Sequence, residues 1–256
     1  MIGRADGHAT YLYGLLQRRD MPDLAGAPRG LPGMGRPRAL AAGASLWLVV
    51  ADAPLRHYAG PAIDGRLTDL GWVSQCAMAH EALVEHAATL GTVVPMKLFT
   101  LFSTDARAVA HVARRRDRLA RVIRRVARRD EWGIQIRSTG ARPIPRPARA
   151  LTGTAFLQRK RREAATRRAG GGAAAPALRA ALTELRRVAG SVRRRPIEVD
   201  AAGGGGLVLD VVLLVAVRRR ARFLRTTARL TARLARAGYA VTLTGPWPPY
   251  HFIGRG

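Results

Sequence analysis

Two groupings in this chain have residue types that do chemistry. His80-Glu81 opens the run His-Glu-Ala-Leu-Val-Glu-His, which closes at His86. A metalloprotease helix needs its histidines four residues apart, so that both imidazoles share one face. Here the spacing is six, which places His80 and His86 about 120° apart around a helix axis. The pair reads as solvent-facing or capping histidines beside Glu81 and Glu85, and no metal ligand is assigned. Cys76 is the single thiol, with His80 one turn later, the spacing a nucleophile and its base would use. Cys76 also falls on the apolar side of that segment beside Trp72, where a structural cysteine is the commoner case. A phosphate-binding loop needs a Gly-Lys pair, and none occurs. Gly203 to Gly206 precede a strand, not the helix that a dinucleotide site requires. No catalytic residue, cofactor or metal is expected, and one cysteine excludes a disulfide framework.

Charge is the next signal. The 256 residues hold 44 Lys or Arg against 17 Asp or Glu, a net charge of +27. Only Lys97 and Lys160 are lysine. Arginine beside abundant Ala, Gly and Pro fits a high-GC genome, which explains Arg over Lys but not the scarcity of acids. Residues 105–129, 153–169 and 218–237 carry +8, +5 and +8, or 21 of the 27 charges. Such surfaces bind polyanions without reading sequence, and salt weakens them. RNA-recognition modules stack bases on a patterned set of aromatics that is absent here. No specific nucleic-acid partner is assigned. A basic nucleic-acid-binding protein of ferredoxin-like architecture is the alternative reading.

The elements that position these residues follow from periodicity. Tyr11 to Leu16 and Leu46 to Val50 read as strands, and the proline-rich Pro22 to Gly43 between them as a loop. Leu70 to Leu90 is a helix closed by Gly91, with Trp72, Cys76, Ala79, Leu83 and Leu90 on its apolar side. Val93 to Phe99 is extended, at an edge because of Pro95. One basic helix is expected from Thr104 or Asp105 to about Arg129. Then come a strand from Glu131, a proline-marked turn at 143–147, helices over Gly153–Ala169 and from Pro176, and a strand over Pro196–Ala201. Leu207–Val217 is a buried strand, Phe223 to Ala237 a helix, and Tyr239–Leu243 the last strand. From Glu131 the order is the βαββαβ of ferredoxin-like folds. The fold class is therefore α+β in two domains, residues 1–130 and 131–256, the second ferredoxin-like with an antiparallel sheet. Leu207–Val217 contains Asp210 and falls short of the roughly 20 apolar residues of a membrane span. No apolar leader is seen at the N-terminus, so a soluble, intracellular protein is expected.

The C-terminal Leu243-Thr244-Gly245-Pro246-Trp247-Pro248-Pro249-Tyr250-His251-Phe252 resembles the closing motif of the gas vesicle protein F/L family. Five further segments agree in order: Tyr11-Leu12-Tyr13-Gly14, His80-Glu81, Pro95 to Phe102, Glu131-Trp132-Gly133 and Gly153 to Lys160. The likeness spans about residues 10 to 252. Leu98-Phe99-Thr100 stands where many members have Phe-Gly-Thr, and Gly170–Ala175 resembles a variable insertion.

The resemblance implies two α+β domains, no enzymatic activity, and an accessory or minor component needed to assemble gas vesicles in the cytoplasm. It implies gas vesicle shell protein and other accessory proteins as partners. Trp247, Tyr250, His251 and Phe252 are the expected partner-binding residues. Three prolines fix φ around them, so little backbone entropy is lost on docking. Trp247 is expected to pack inward, and Tyr250 and His251 to stay accessible.

Overall fold

Eight consecutive residues of β1 (His8–Gln17), Ala9 to Leu16, are buried. Side chains on a strand alternate between faces, so unbroken burial means that both faces are covered. β1 is thus the central strand of the first sheet. The computed structural model describes residues 7–139, 176–197 and 206–254. The chain divides into two compact units, Met1–Asp130 with Pro246–Gly256, and Glu131–Gly245.

In the first unit β1 lies between β3 (Leu46–Pro54) and β4 (Thr92–Pro95), with β2 (Arg38–Gly43) outside β3. β5 (Leu101–Phe102) also pairs with β1, beyond β4 along the same strand. Every pairing is antiparallel. A bulge between Leu12 and Gly14 shifts the register of β1 against β3. It lets Tyr11, Tyr13 and then Leu16 face one core. That core holds Cys76, Leu83, Val84 and Ala87 of α3 (Leu70–Leu90). Two short helices, α1 (Leu55–Tyr58) and α2 (Gly60–Arg66), lead into α3. Leu12, Leu48 and Val50 point to the opposite face and are also buried. α4 (Asp105–Ala113) packs against β1, β2 and β5, and α5 (Arg116–Val126) against β4.

The start and stop of α3 have separate causes. Asp69 caps it by accepting from the backbone of Gly71 and Trp72 at 2.9 and 3.1 Å. Gly91 closes it with extended backbone, so no left-handed turn is needed. A Cβ there would lie 2.6 Å from the Gln17 carbonyl of β1, so close approach is what requires glycine.

The structure departs from the sequence reading in four places here. The extension expected over Val93–Phe99 stops at Pro95, and Leu98 and Phe99 form a turn with Phe99 at φ +62°. The single helix expected from 104 to 129 is two, α4 and α5. Arg114 to Arg118 contain no apolar side chain to hold that turn against the sheet. The loop expected over Pro22–Gly43 ends in β2, whose Ala-rich sequence carries little strand signal. Its register comes from pairing with β3 and from Arg38, described below. His80, expected at the solvent, is 4% exposed.

In the second unit the sheet order is β7 (Ser191–Arg194), β8 (Leu207–Ala216), β6 (Arg129–Ser138), β9 (Tyr239–Trp247). Trp132, Ile134 and Ile136 alternate inward from β6, and Leu209, Val211, Leu213 and Val215 from β8. They meet Leu182, Leu185 and Val188 of α6 (residues 176–188) and Phe223, Leu230 and Leu234 of α7 (Arg220–Arg236). β7 is a basic segment whose strand state comes from its ladder with β8; Pro196 and Ile197 follow it outside any strand, and the rest of the expected strand over Pro196–Ala201 lies outside the described residues. The architecture is α+β with antiparallel pairing in the first sheet and between β7 and β8. The expected turn at 143–147, the helix over Gly153–Ala169 and the Gly170–Ala175 insertion lie outside the described residues. Pro246–Gly256, read as the end of the second domain, belongs to the first unit.

Candidate functional site

Polar groups converge in the first unit where α3 crosses β1. His80 Nε2 lies 3.2 Å from the Met96 carbonyl, which can only accept, so Nε2 carries the proton. Nδ1 is then the acceptor for the Tyr11 hydroxyl at 2.8 Å. The same hydroxyl oxygen accepts from the Phe99 N–H at 3.1 Å. Tyr13 accepts from the Leu31 N–H at 3.0 Å and donates toward Met34 Sδ at 3.5 Å. Tyr58 donates to the Pro32 carbonyl at 2.7 Å. The three rings of Tyr11, Tyr13 and His80 lie within 6 Å of one another by centroid.

These bonds hold a specific backbone shape. Phe99 sits at φ +62°, a left-handed conformation that costs a residue with a side chain about 1–3 kcal/mol. Its ring stacks on Trp72 at 5.6 Å, nearly parallel, and its N–H is taken by Tyr11. Glycine would adopt this left-handed backbone at little cost. Here the Tyr11 hydrogen bond and the Trp72 stack offset the cost.

Burial sets the ionisation of the cluster. It pushes the Tyr11 and Tyr13 hydroxyls above the usual tyrosine range. It lowers His80 to about 4, with the Met96 carbonyl opposing. It raises the Cys76 thiol, which a hydrogen bond with Tyr58 partly offsets. His80 is thus neutral at pH 7 with both nitrogens engaged, and Cys76 stays a thiol. Neither is poised as a base or nucleophile; the cluster fastens β1, α3 and the 96–100 turn together. Among the described residues no group of three or more His, Cys, Asp or Glu is placed to hold a metal ion.

A second fastening joins β2, β3 and α4. Arg38 forks onto both Asp105 oxygens at 2.9 Å and reaches Asp52 at 2.7 Å. Thr10 of β1 donates to Asp105 at 2.7 Å.

The expected partner-binding residues separate into anchors and exposed groups. The in–out alternation of β9 runs through Pro246 and breaks at Trp247, two residues after Gly245 at φ +113°. Pro248 and Pro249 are buried, and Tyr250 to Phe252 form a 3-10 turn. Phe252 is 1% exposed. Tyr250 is half-buried against the core of Tyr11, Tyr13 and Cys76. Trp247 is 39% exposed and His251 is exposed. The expectation for Trp247 and Tyr250 is therefore reversed: Tyr250 packs inward and Trp247 faces out. β9 runs on to Trp247 with Gly245 at positive φ inside it, and its alternation breaks at Trp247, which a strand pattern extended from Tyr239 does not anticipate. The sequence reading also missed Leu70 and Met78, 78% and 65% exposed and two turns apart on α3. Their near-helical spacing, outside the Cys76–Leu83 stripe, was the available signal.

The model of the gas vesicle synthesis protein GvpL/GvpF family matches residues 9–254. The chain belongs to that family. Gas vesicle protein L of Streptomyces sp. (strain CB03234) is 31% identical over 238 residues, covering 89% of this chain and 87% of the relative. The crystal structure of the gas vesicle protein GvpF from Anabaena sp. PCC7120 superposes with a TM-score of 0.71 at 13% identity, over 97% of both chains. That of GvpF from Microcystis aeruginosa gives 0.67 at 11%, over 96% of this chain and 99% of the other. At those identities the structural likeness speaks to fold. The family match reaches the C-terminal segment, so the Tyr250–Phe252 anchor and exposed Trp247 lie within it. Among the described residues no helix is long and apolar enough to cross a membrane.

Proposed function

We propose that this chain is a non-enzymatic accessory or minor structural protein of gas vesicles, required for their assembly in the cytoplasm. It binds shell subunits or other accessory proteins through the C-terminal segment. A shell subunit that builds a gas-filled wall exposes apolar surface before incorporation, and such surface aggregates. The observation that carries the reading is the anchored segment in a member of this family. Phe252 and Tyr250 fix it to the first unit while Trp247 and His251 remain outward. Leu70 and Met78 add exposed apolar surface on the same unit. A tryptophan on a proline-stiffened support is the kind of group that dominates binding energy.

The two units act as two domains, the second ferredoxin-like. The order β7-β8-β6-β9 supports this, since a βαββαβ chain places its first and third strands at the centre.

Cells carrying a gas vesicle gene set with this chain in its relative's place supply the test. Trp247→Ala with His251→Ala should leave the thermal midpoint near that of the wild type and lower buoyant vesicle yield. Normal yield from a folded double variant would remove the segment from partner binding.

A further inference from the structure

α7 presents two different exposed strips beside its buried side. Arg218, Arg222, Arg225, Arg229, Arg233 and Arg236 recur every three or four residues, from the turn before α7 to its end, and all are exposed. Side chains at that spacing line up along a helix. At 1.5 Å per residue the ladder is about 27 Å long. Ala221, Leu224, Ala228, Ala232 and Ala235 recur with the same spacing on the other exposed side. They make a smooth, apolar strip. Phe223, Leu230 and Leu234 occupy the third side, in the core. Among the described residues the ladder meets one carboxylate: Glu184 of α6 binds Arg233 at 2.7 Å. The other five arginines have no acidic partner there.

We propose that α7 docks an acidic amphipathic helix of a partner protein. The partner's carboxylates, repeating every three or four residues, meet the arginine ladder, and its small apolar edge packs on the Ala221–Ala235 strip. Charge complementarity carries the choice, and spacing refines it. Two helices share one axial repeat, so a carboxylate ladder stays in step with an arginine ladder. Guanidinium forks bind carboxylates in two parallel hydrogen bonds. The Glu184–Arg233 pair already shows a guanidinium–carboxylate contact between neighbouring helices, through one hydrogen bond. Alanines let helix axes approach toward the near end of the 8–10 Å range. A nucleic acid would satisfy the arginines but leave the apolar strip facing phosphates and water. No aromatic on the exposed face offers a base a stacking platform. A membrane-surface helix carries large apolar side chains opposite its charges, and alanines do not supply them. The inference goes beyond the function proposed above and does not involve the C-terminal segment.

Fluorescence anisotropy on the full chain tests it. The probe is a labelled synthetic helix of about five turns, with glutamates at i, i+3, i+4 and i+7 and an Ala edge. The controls are a scrambled peptide of equal composition, a short DNA duplex and anionic phosphatidylserine vesicles. At physiological salt the patterned peptide should bind about tenfold more tightly than the scrambled one. Arg225→Ala with Arg229→Ala should weaken it. The deciding variant is Ala228→Arg. It adds a positive charge and keeps a good helix former at an exposed site, so the fold survives. It also blocks close approach, and should weaken peptide binding about tenfold while DNA binding holds or rises. Equal binding of both peptides, or stronger peptide binding by Ala228→Arg, would show an unspecific polyanion surface and overturn the proposal. Preference for the duplex or the vesicles over the patterned peptide would overturn it in favour of those partners.

Discussion

Acidification should weaken the first unit through one buried imidazole. An unfolded histidine titrates near 6.5, and burial holds His80 near 4. Between those values the unfolded chain binds more protons than the folded one, so stability falls as pH falls. The contribution is intact above the unfolded value and lost as pH drops through the folded one. The gap is worth about 3 kcal/mol, a large share of the 5–15 kcal/mol that a domain typically has. Glu81, raised by burial and by neighbouring Glu85, titrates with the opposite sign and would mask part of the effect. His80→Gln separates them. Its amide still donates to the Met96 carbonyl, it does not titrate, and Glu81 is unchanged. At pH 7 the variant should be about 1–3 kcal/mol less stable, because the Tyr11 hydroxyl loses its acceptor. Urea unfolding followed by tryptophan fluorescence from about pH 7.5 to pH 4 gives both curves. The wild type should lose about 3 kcal/mol relative to the variant, mostly between pH 6.5 and 4. Parallel curves, or a wild type that gains on the variant at low pH, would refute the buried-neutral assignment of His80.

Other substitutions probe the remaining contacts. Phe252→Ala should cost about 3–5 kcal/mol by denaturation, because its ring is buried in the first unit. Trp247→Ala, on the exposed side of the same segment, should stay within about 0.5 kcal/mol of the wild type. Gly91→Ala should cost about 1–3 kcal/mol, since its Cβ would press on the Gln17 carbonyl; an unchanged denaturation midpoint would mean that the end of β1 gives way freely. Asp210→Asn should cost about 1–3 kcal/mol by the same measurement. It removes the charge that Arg195 binds at 2.7 Å and the acceptor that Gln135 reaches at 3.1 Å.

What the sequence revealed depended on how apolar each element had to be. α3 was legible because its apolar stripe is long and Gly91 closes it; the Asp69 cap came from the structure. β8 was legible because a strand covered on both faces is apolar at nearly every position, Asp210 being the one exception in it. β2 and β7 were not, since an Ala-rich edge and an arginine run become strands only through the neighbour they pair with. The break between α4 and α5 was hidden for the opposite reason: the four arginines of Arg114 to Arg118 are good helix formers, and what is missing there is an apolar side chain to pack. At the candidate site, His80 lacked a sequence signature because its partners are distant. Tyr11 is 69 residues away, and the Met96 carbonyl belongs to a backbone that no residue type announces. The C-terminal aromatics could be counted from the sequence, but their inside-out arrangement follows from the break in alternation at the end of β9 and the 3-10 turn after it.

The positions of the acids bear on the +27 charge. Asp52 and Asp105 hold Arg38, Asp210 holds Arg195, and Glu184 holds Arg233. Three of these carboxylates hold strands or a helix start in place, and only Glu184 touches the ladder on α7. These carboxylates stand where the fold uses them, and among the described residues the arginine ladder of α7 keeps one acidic partner. Uncompensated like charges repel and destabilise a compact state. An arginine-rich codon supply accounts for arginine over lysine, yet it would not stop glutamate from standing between the arginines of α7, where an i,i+4 pair would add a few tenths of a kcal/mol. Alanine stands there instead. An exposed helix that forgoes intrahelical pairs for an unbroken ladder beside a smooth strip is organised for a partner's charges rather than its own.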